Sequence, residues 1–199
     1  MLSLARKEQE TVKFEGRGYS LRLSFDRVLL FYELLDDPRA EDHDKLKIGL
    51  DLFVKGRRWE ALPPNKQMQL LELIFNQHIK SNRPQGVKKP KAMDYLEDAD
   101  YLFSSFWLAY GMDLQAQRGK LSWSRFAALL DGLPDYSKMR EVIKIRTMEI
   151  PAPDKYNAKE RASIIESKQY YALKSANMMD YQTGLEALFG MAKSMALKG

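Results

Sequence analysis

The chain has 199 residues and no cysteine, with 45% hydrophobic, 30% charged and 11% aromatic residues and a formal net charge of +5. This is a globular composition, long enough for a substantial core. The lack of cysteine excludes disulfides, thiolate nucleophiles, thiolate zinc clusters and iron-sulfur centres, leaving carboxylates and two histidines as metal donors. The longest apolar runs, such as Val28 to Tyr32, are too short to span a membrane, and Arg6, Lys7, Glu8, Glu10, Lys13 and Glu15 near the start are unlike a secretory leader.

Charge divides unevenly. The segments 1–79 and 93–199 are each balanced, and the whole excess falls on Lys80, Arg83, Lys88, Lys89 and Lys91. The stretch 80–92 also holds Pro84, Gly86 and Pro90 with almost nothing apolar, so it reads as a flexible basic linker between two helical lobes. Its cations could also contact a polyanion.

Val12 and Phe14, then Tyr19, Leu21 and Leu23, alternate with polar residues about Glu15-Gly16-Arg17-Gly18, which predicts a small β-hairpin that needs a helix beneath it. Helices are predicted over Phe25 to Leu35, with Phe25, Val28, Leu29, Tyr32 and Leu35 on one face, and over His43 to Val54, with Leu46, Leu50 and Phe53. Asp36-Asp37-Pro38 separates them. A third is predicted from an Asn65 N-cap to Ser81. Beyond the linker the pattern is helical throughout: Leu96 to Tyr110, closed by a left-handed Gly111, then Trp123 to Leu130 and Tyr136 to Met148. Asn157 to Leu173 follows, with Asn157 as cap and a stripe of Ala162, Ile165, Gln169 and Ala172. The last helix, Tyr181 to Leu197, is amphipathic and weakened by Gly184 and Gly190. The expected fold is mainly α, an N-terminal hairpin leading into a multi-helix bundle in two lobes: 1–79, the linker 80–92, 93–173, and the C-terminal helix in 174–199.

Catalytic constellations are not found. His43 lies in an acidic helix start and His78 near a helix end, and Glu97, Asp98 and Asp100 match what helix capping predicts. Phosphate-loop, GxSxG, HExxH and EF-hand patterns are absent. The expectation is no enzyme, no cofactor and no metal. Leu121 to Leu130 followed by YSKMREVIKIR could pass for a helix-turn-helix, but Trp123, Phe126, Leu129 and Leu130 form an apolar stripe that suits core better than contact.

The order DADYLFSSFWLAYGMDL, LSWSRFAALLDGLP and EVIKIR, carried by Asp100, Tyr101, Phe106, Tyr110, Gly111, Met112, Asp113, Leu114, Leu121, Trp123, Phe126, Leu130, Gly132, Leu133, Ile143, Ile145 and Arg146, resembles the bacteriophage gene-product-fifteen family. With the hairpin it covers most of residues 12–173; Ser124 stands where family members often have a second aromatic. The resemblance implies a tail assembly chaperone that solubilises the tape measure protein in the host cytoplasm until tail tube protein polymerises around it, and that is then shed from the virion. It implies structural roles for Asp100, Tyr110, Gly111, Asp113, Trp123, Phe126 and Arg146. The ten methionines suit adaptable apolar contacts. On the C-terminal helix Leu185, Leu188, Phe189 and Met195 are candidate contacts to the tape measure protein or to a second copy in a homo-oligomer. The competing readings are a nucleic-acid-binding regulator or packaging factor, and a structural component retained in the tail.

Overall fold

The computed structural model describes residue 5 and residues 10–80, 91–174 and 188–190. These fall into two units. The first holds residues 10–80 with Gln117–Leu129 and 188–190; the second holds 91–116 and 130–174.

In the first unit β1 (Thr11–Phe14) and β2 (Arg17–Ser20) pair antiparallel, with Val12 opposite Tyr19 and Phe14 opposite Arg17. Alternation turns Val12 and Tyr19 inward and leaves Thr11, Lys13, Gly18 and Ser20 exposed. Glu15 and Gly16 both take positive φ, 48° and 71°, so the predicted turn tightens to a two-residue primed turn whose twist matches the strands. The chain beyond β2 is tied to the helical layer, because Arg22 N donates to Phe53 O and Lys55 N to Ser20 O.

That layer is α1 (Phe25–Asp36), α2 (Asp42–Phe53) and α3 (Pro64–Ile74), packed in sequence order. α1 buries Phe25, Val28, Phe31, Tyr32 and Leu35. Phe31 takes the core place expected of Leu29, which is half-buried. In the turn after α1, hydrogen bonds from the Arg39 guanidinium and backbone N–H hold the Asp37 carboxyl at about 2. α3 starts at Pro64 with Pro63 as its N-cap, so Asn65 is the second helical residue rather than the cap. Proline at a first helical position loses only a donor that would be orphaned there. The helix widens into a π turn at Phe75–Ile79, where Lys80 N bonds Phe75 O, and this keeps both Phe75 and Ile79 inside.

The first unit also takes in Gln117–Leu129, which the sequence grouped with the second lobe. α5 (Trp123–Asp131) carries Phe126 stacked on Phe25, with ring centroids 4.9 Å apart, and Trp123 edge-on to Tyr32. The Trp123 indole N–H donates to Ile79 O at 3.0 Å. A β-bridge joins Ser24 to Ser122, with Phe25 N bonding Leu121 O and Trp123 N bonding Leu23 O. Two buried aromatics and a backbone bridge outweigh nearness in sequence, and the division falls within α5, after Leu129. Of the expected C-terminal helix only 188–190 are described. They are helical, with Leu188 buried and the Phe189 ring 6.4 Å from that of Phe75.

The second unit is built on α4 (Ala99–Tyr110), α6 (Lys138–Thr147) and α7 (Ala158–Tyr170). α4 begins three residues later than expected because Asp94 captures the preceding turn, its Oδ1 accepting from Leu96 N and Glu97 N. It ends as predicted at Gly111, whose φ of 61° is left-handed. α4 packs on α6, with Leu102, Ser105 and Phe106 buried on one and Met139 and Val142 on the other. Ser105 Oγ accepts from Met139 N at 2.9 Å, so a small hydroxyl both closes the distance and satisfies the start of α6.

α7 presents a different face from the one expected. Ala162, Ile165, Gln169 and Ala172 are exposed, while Arg161, Ile164, Lys168 and Tyr171 are half-buried. Lys168 Nζ donates to the carbonyls of Arg146 at 2.6 Å and Met148 at 2.7 Å. A cation serving the orphan carbonyls at the end of α6 sets the rotation of α7 where the apolar pattern is weak. Asn157 stands at the N-cap of α7 but makes no side-chain cap bond; its amide bonds Ala152 O and Asp154 N instead. Residues 81–90 of the expected linker lie outside the described residues. Its last two are anchored: Lys91 Nζ pairs with Asp94 at 2.7 Å, and Ala92 O accepts from Arg146.

Candidate functional site

The family-pattern residues separate into those that build the core and those that leave a surface. Arg146 is the polar centre of the second unit. Its two terminal nitrogens grip Asp98 at 2.6 and 2.7 Å, its Nε donates to Tyr171 O at 2.6 Å, and Nη1 reaches Ala92 O at 3.0 Å. Arg146 and Asp98 side chains are 9% and 1% exposed. The guanidinium fork thus ties together the segment before α4, the α4 start and the chain after α7, which a point-charge lysine could not do. Asp98 Oδ2 also accepts from Asp94 N at 2.9 Å, completing the acceptor side.

The aspartate that matters here is Asp98, which the sequence reading set aside as a cap. Asp100, the one in the family pattern, is exposed in the first turn of α4. Nothing in spacing separates a capping aspartate from an ion-pair partner, and Arg146 is one of four basic residues on α6, with Lys138, Arg140 and Lys144. Asp113 Oδ1 receives Gln115 N and Ala116 N, organising the turn that follows Gly111. Trp123 and Phe126 are core of the first unit, as expected of an apolar stripe.

The surface lies on α4. ADYLFSSFWLAY is apolar around most of its circumference, so burying Leu102 and Phe106 leaves other apolar residues facing water. Phe103, Trp107 and Tyr110, at i, i+4 and i+7, fall on one outward face, and Leu108, about 100° round the helix from Trp107, is exposed as well. Trp107 is 57% exposed and Leu108 62%. Helical periodicity alone does not show which apolar side of this helix is left outside; the signal for an exposed face is its narrow polar side.

The four C-terminal candidates fare differently. Leu185 and Met195 lie outside the described residues. Leu188 is 3% exposed and Phe189 faces Phe75, so these two are covered by their own chain rather than presented to a partner. His43 lies 3.6 Å from Asp44 on an exposed helix start. Among the described residues no group of three or more metal-binding side chains is assembled, and no described helix is long and apolar enough to cross a membrane.

The chain is therefore a mainly α protein with a hairpin at its start and an outward aromatic face on a helix whose inner side is core. A family model described as Bacteriophage Gp15 protein matches residues 7–173, and the chain belongs to that family. It is a phage protein. Curated proteins and solved structures give no match.

Proposed function

We propose that this protein is a non-enzymatic tail assembly chaperone that binds the phage tape measure protein and keeps it soluble in the host cytoplasm until tail tube protein assembles around it, after which the chaperone is shed. Family membership supports a phage role, and the observation that carries the finer reading is the α4 face of Phe103, Trp107 and Tyr110 with Leu108. Exposed aromatic side chains at helical spacing cost solubility unless a partner covers them, and they suit an amphipathic helix laid alongside. Aromatic anchors supply large contact area at low entropic cost.

Co-expression with the tape measure protein of the same phage tests this. Wild-type protein should hold the tape measure protein in the soluble fraction, and the double variant Trp107→Ser, Leu108→Ser should release it to the pellet with its own melting unchanged. Equal solubility with both would overturn the reading. Capture should also survive high salt, because apolar burial is not weakened by counterion competition. Binding that collapses with salt would favour a nucleic-acid-binding regulator instead.

A further inference from the structure

Independently of the α4 face, we infer that the first unit contains a binding site for a phosphate group, at the start of α1. A cavity of about 270 Å³ is lined by Glu10, Arg22, Leu23, Ser24, Arg27, Lys55, Gly119, Lys120 and Ser122. Leu23 is the only apolar side chain of the nine, so the occupant is polar. Among the described lining residues four cations face one carboxylate, Glu10.

Two of these cations are fixed by carbonyls, with no ion pair to either among the described residues. The Arg22 Nη2 donates to the carbonyls of Asp51 and Val54, the latter at 3.0 Å, and Arg27 Nη1 donates to Leu52 O at 3.2 Å. Those carbonyls are at the end of α2, where helix geometry leaves acceptors orphaned. Carbonyls anchor a guanidinium but do not cancel its charge. The nearby Asp26 carboxylate accepts from Gly119 N and does not line the cavity.

Two buried polar atoms on this wall lack a hydrogen-bond partner among the described residues, Ser24 Oγ and Arg22 Nε. Ser24 is 8% exposed and occupies the N-cap of α1, yet its hydroxyl makes no cap bond. An unpartnered buried donor is costly, and a hydroxyl and a guanidinium N–H beside the positive end of a twelve-residue helix are complementary to an oxyanion. The excess of cations favours a phosphate over a single carboxylate. The volume exceeds the share of one water, about 30 Å³, several-fold, leaving room for part of whatever carries the phosphate.

Thermal melting of the full-length protein at constant ionic strength, with inorganic phosphate replacing chloride, provides the test. The expected result is a phosphate-dependent rise in melting temperature that saturates. Ser24→Ala should melt no lower than wild type without phosphate, since it removes an unpartnered group, and should bind phosphate about tenfold more weakly. Lys55→Gln, at an exposed position, should likewise weaken phosphate binding while leaving the phosphate-free melting unchanged. Competition by a DNA oligonucleotide without terminal phosphate would place the phosphate in a nucleic-acid backbone; competition only by a terminally phosphorylated nucleotide would place it on a small molecule. No phosphate-dependent shift in wild type, or equal shifts in both variants, would overturn the site, as would an acidic peptide that binds where phosphate does not.

Discussion

Phe126 has its ring stacked on Phe25, lies near Trp123 and is 1% exposed. Phe126→Ala should cost about 3–5 kcal/mol, measured by urea unfolding; a loss under about 1 kcal/mol would mean the stack contributes little. Asp98→Ala leaves the Arg146 guanidinium buried without its bidentate acceptor and should also cost about 3–5 kcal/mol. Replacing both residues with apolar ones of similar volume should recover most of that loss, and failure to recover it would show that the bonds to Ala92 O and Tyr171 O matter more than the ion pair. His78 titrates in the opposite sense to an ion-paired histidine. Burial pushes it below its ordinary 6.5, and Nε2 has no hydrogen-bond partner among the described residues. The unfolded chain therefore binds the proton more readily, so the stability this neutral ring contributes is complete above about pH 6.5 and is lost as pH falls through the lower folded value. His78→Gln should flatten the acid side of the stability curve between pH 7 and 5; parallel curves would exclude His78 as the source. At this scale the sequence marked Trp123 and Phe126 as core through their three-residue spacing, but it could not tell Asp98 from a cap, because the two roles differ only in a partner 48 positions away.

Elements follow their local signals where one face is strongly apolar and depart from them where a polar anchor decides. The hairpin, α1, α2 and the Gly111 stop were legible from alternation, the i, i+3, i+4 pattern and a left-handed glycine. α7 was misread because its apolar residues are sparse and Lys168, reaching the end of α6, fixes its rotation. Gly49 shows the same contest inside a helix. In isolation, Gly49→Ala should stabilise α2 by about 1 kcal/mol. A Cβ there would lie 2.6 Å from Phe31 Cε2 and 3.3 Å from Leu71 Cδ2, and Phe31 is fully buried against Phe53. Overpacking of this kind costs about 1–3 kcal/mol, so the variant should melt lower, and a higher melting temperature would show that the Phe31 ring can yield.

At the scale of the molecule, the fold class was readable because long amphipathic stretches separated by Pro and Gly leave few alternatives to a helical bundle. The division into units was not, because it depends on which aromatic stripe finds which: Trp123 and Phe126 could have packed on their sequence neighbours, and they pack on Phe25 and Tyr32. A fragment ending at residue 92 therefore lacks part of its own core. It should show helical far-ultraviolet dichroism but a weakened, less cooperative unfolding transition than the full chain, and adding a peptide of residues 117–131 should restore protection of the Phe25 and Val28 amides to hydrogen exchange. The closure of the first unit by a later segment also sets a timetable during synthesis. Translation delivers some 5–20 residues each second, so Phe25 and the Ile79 carbonyl leave the ribosome seconds before the side chains that cover them, and the nascent chain must hold an unfinished core until α5 emerges.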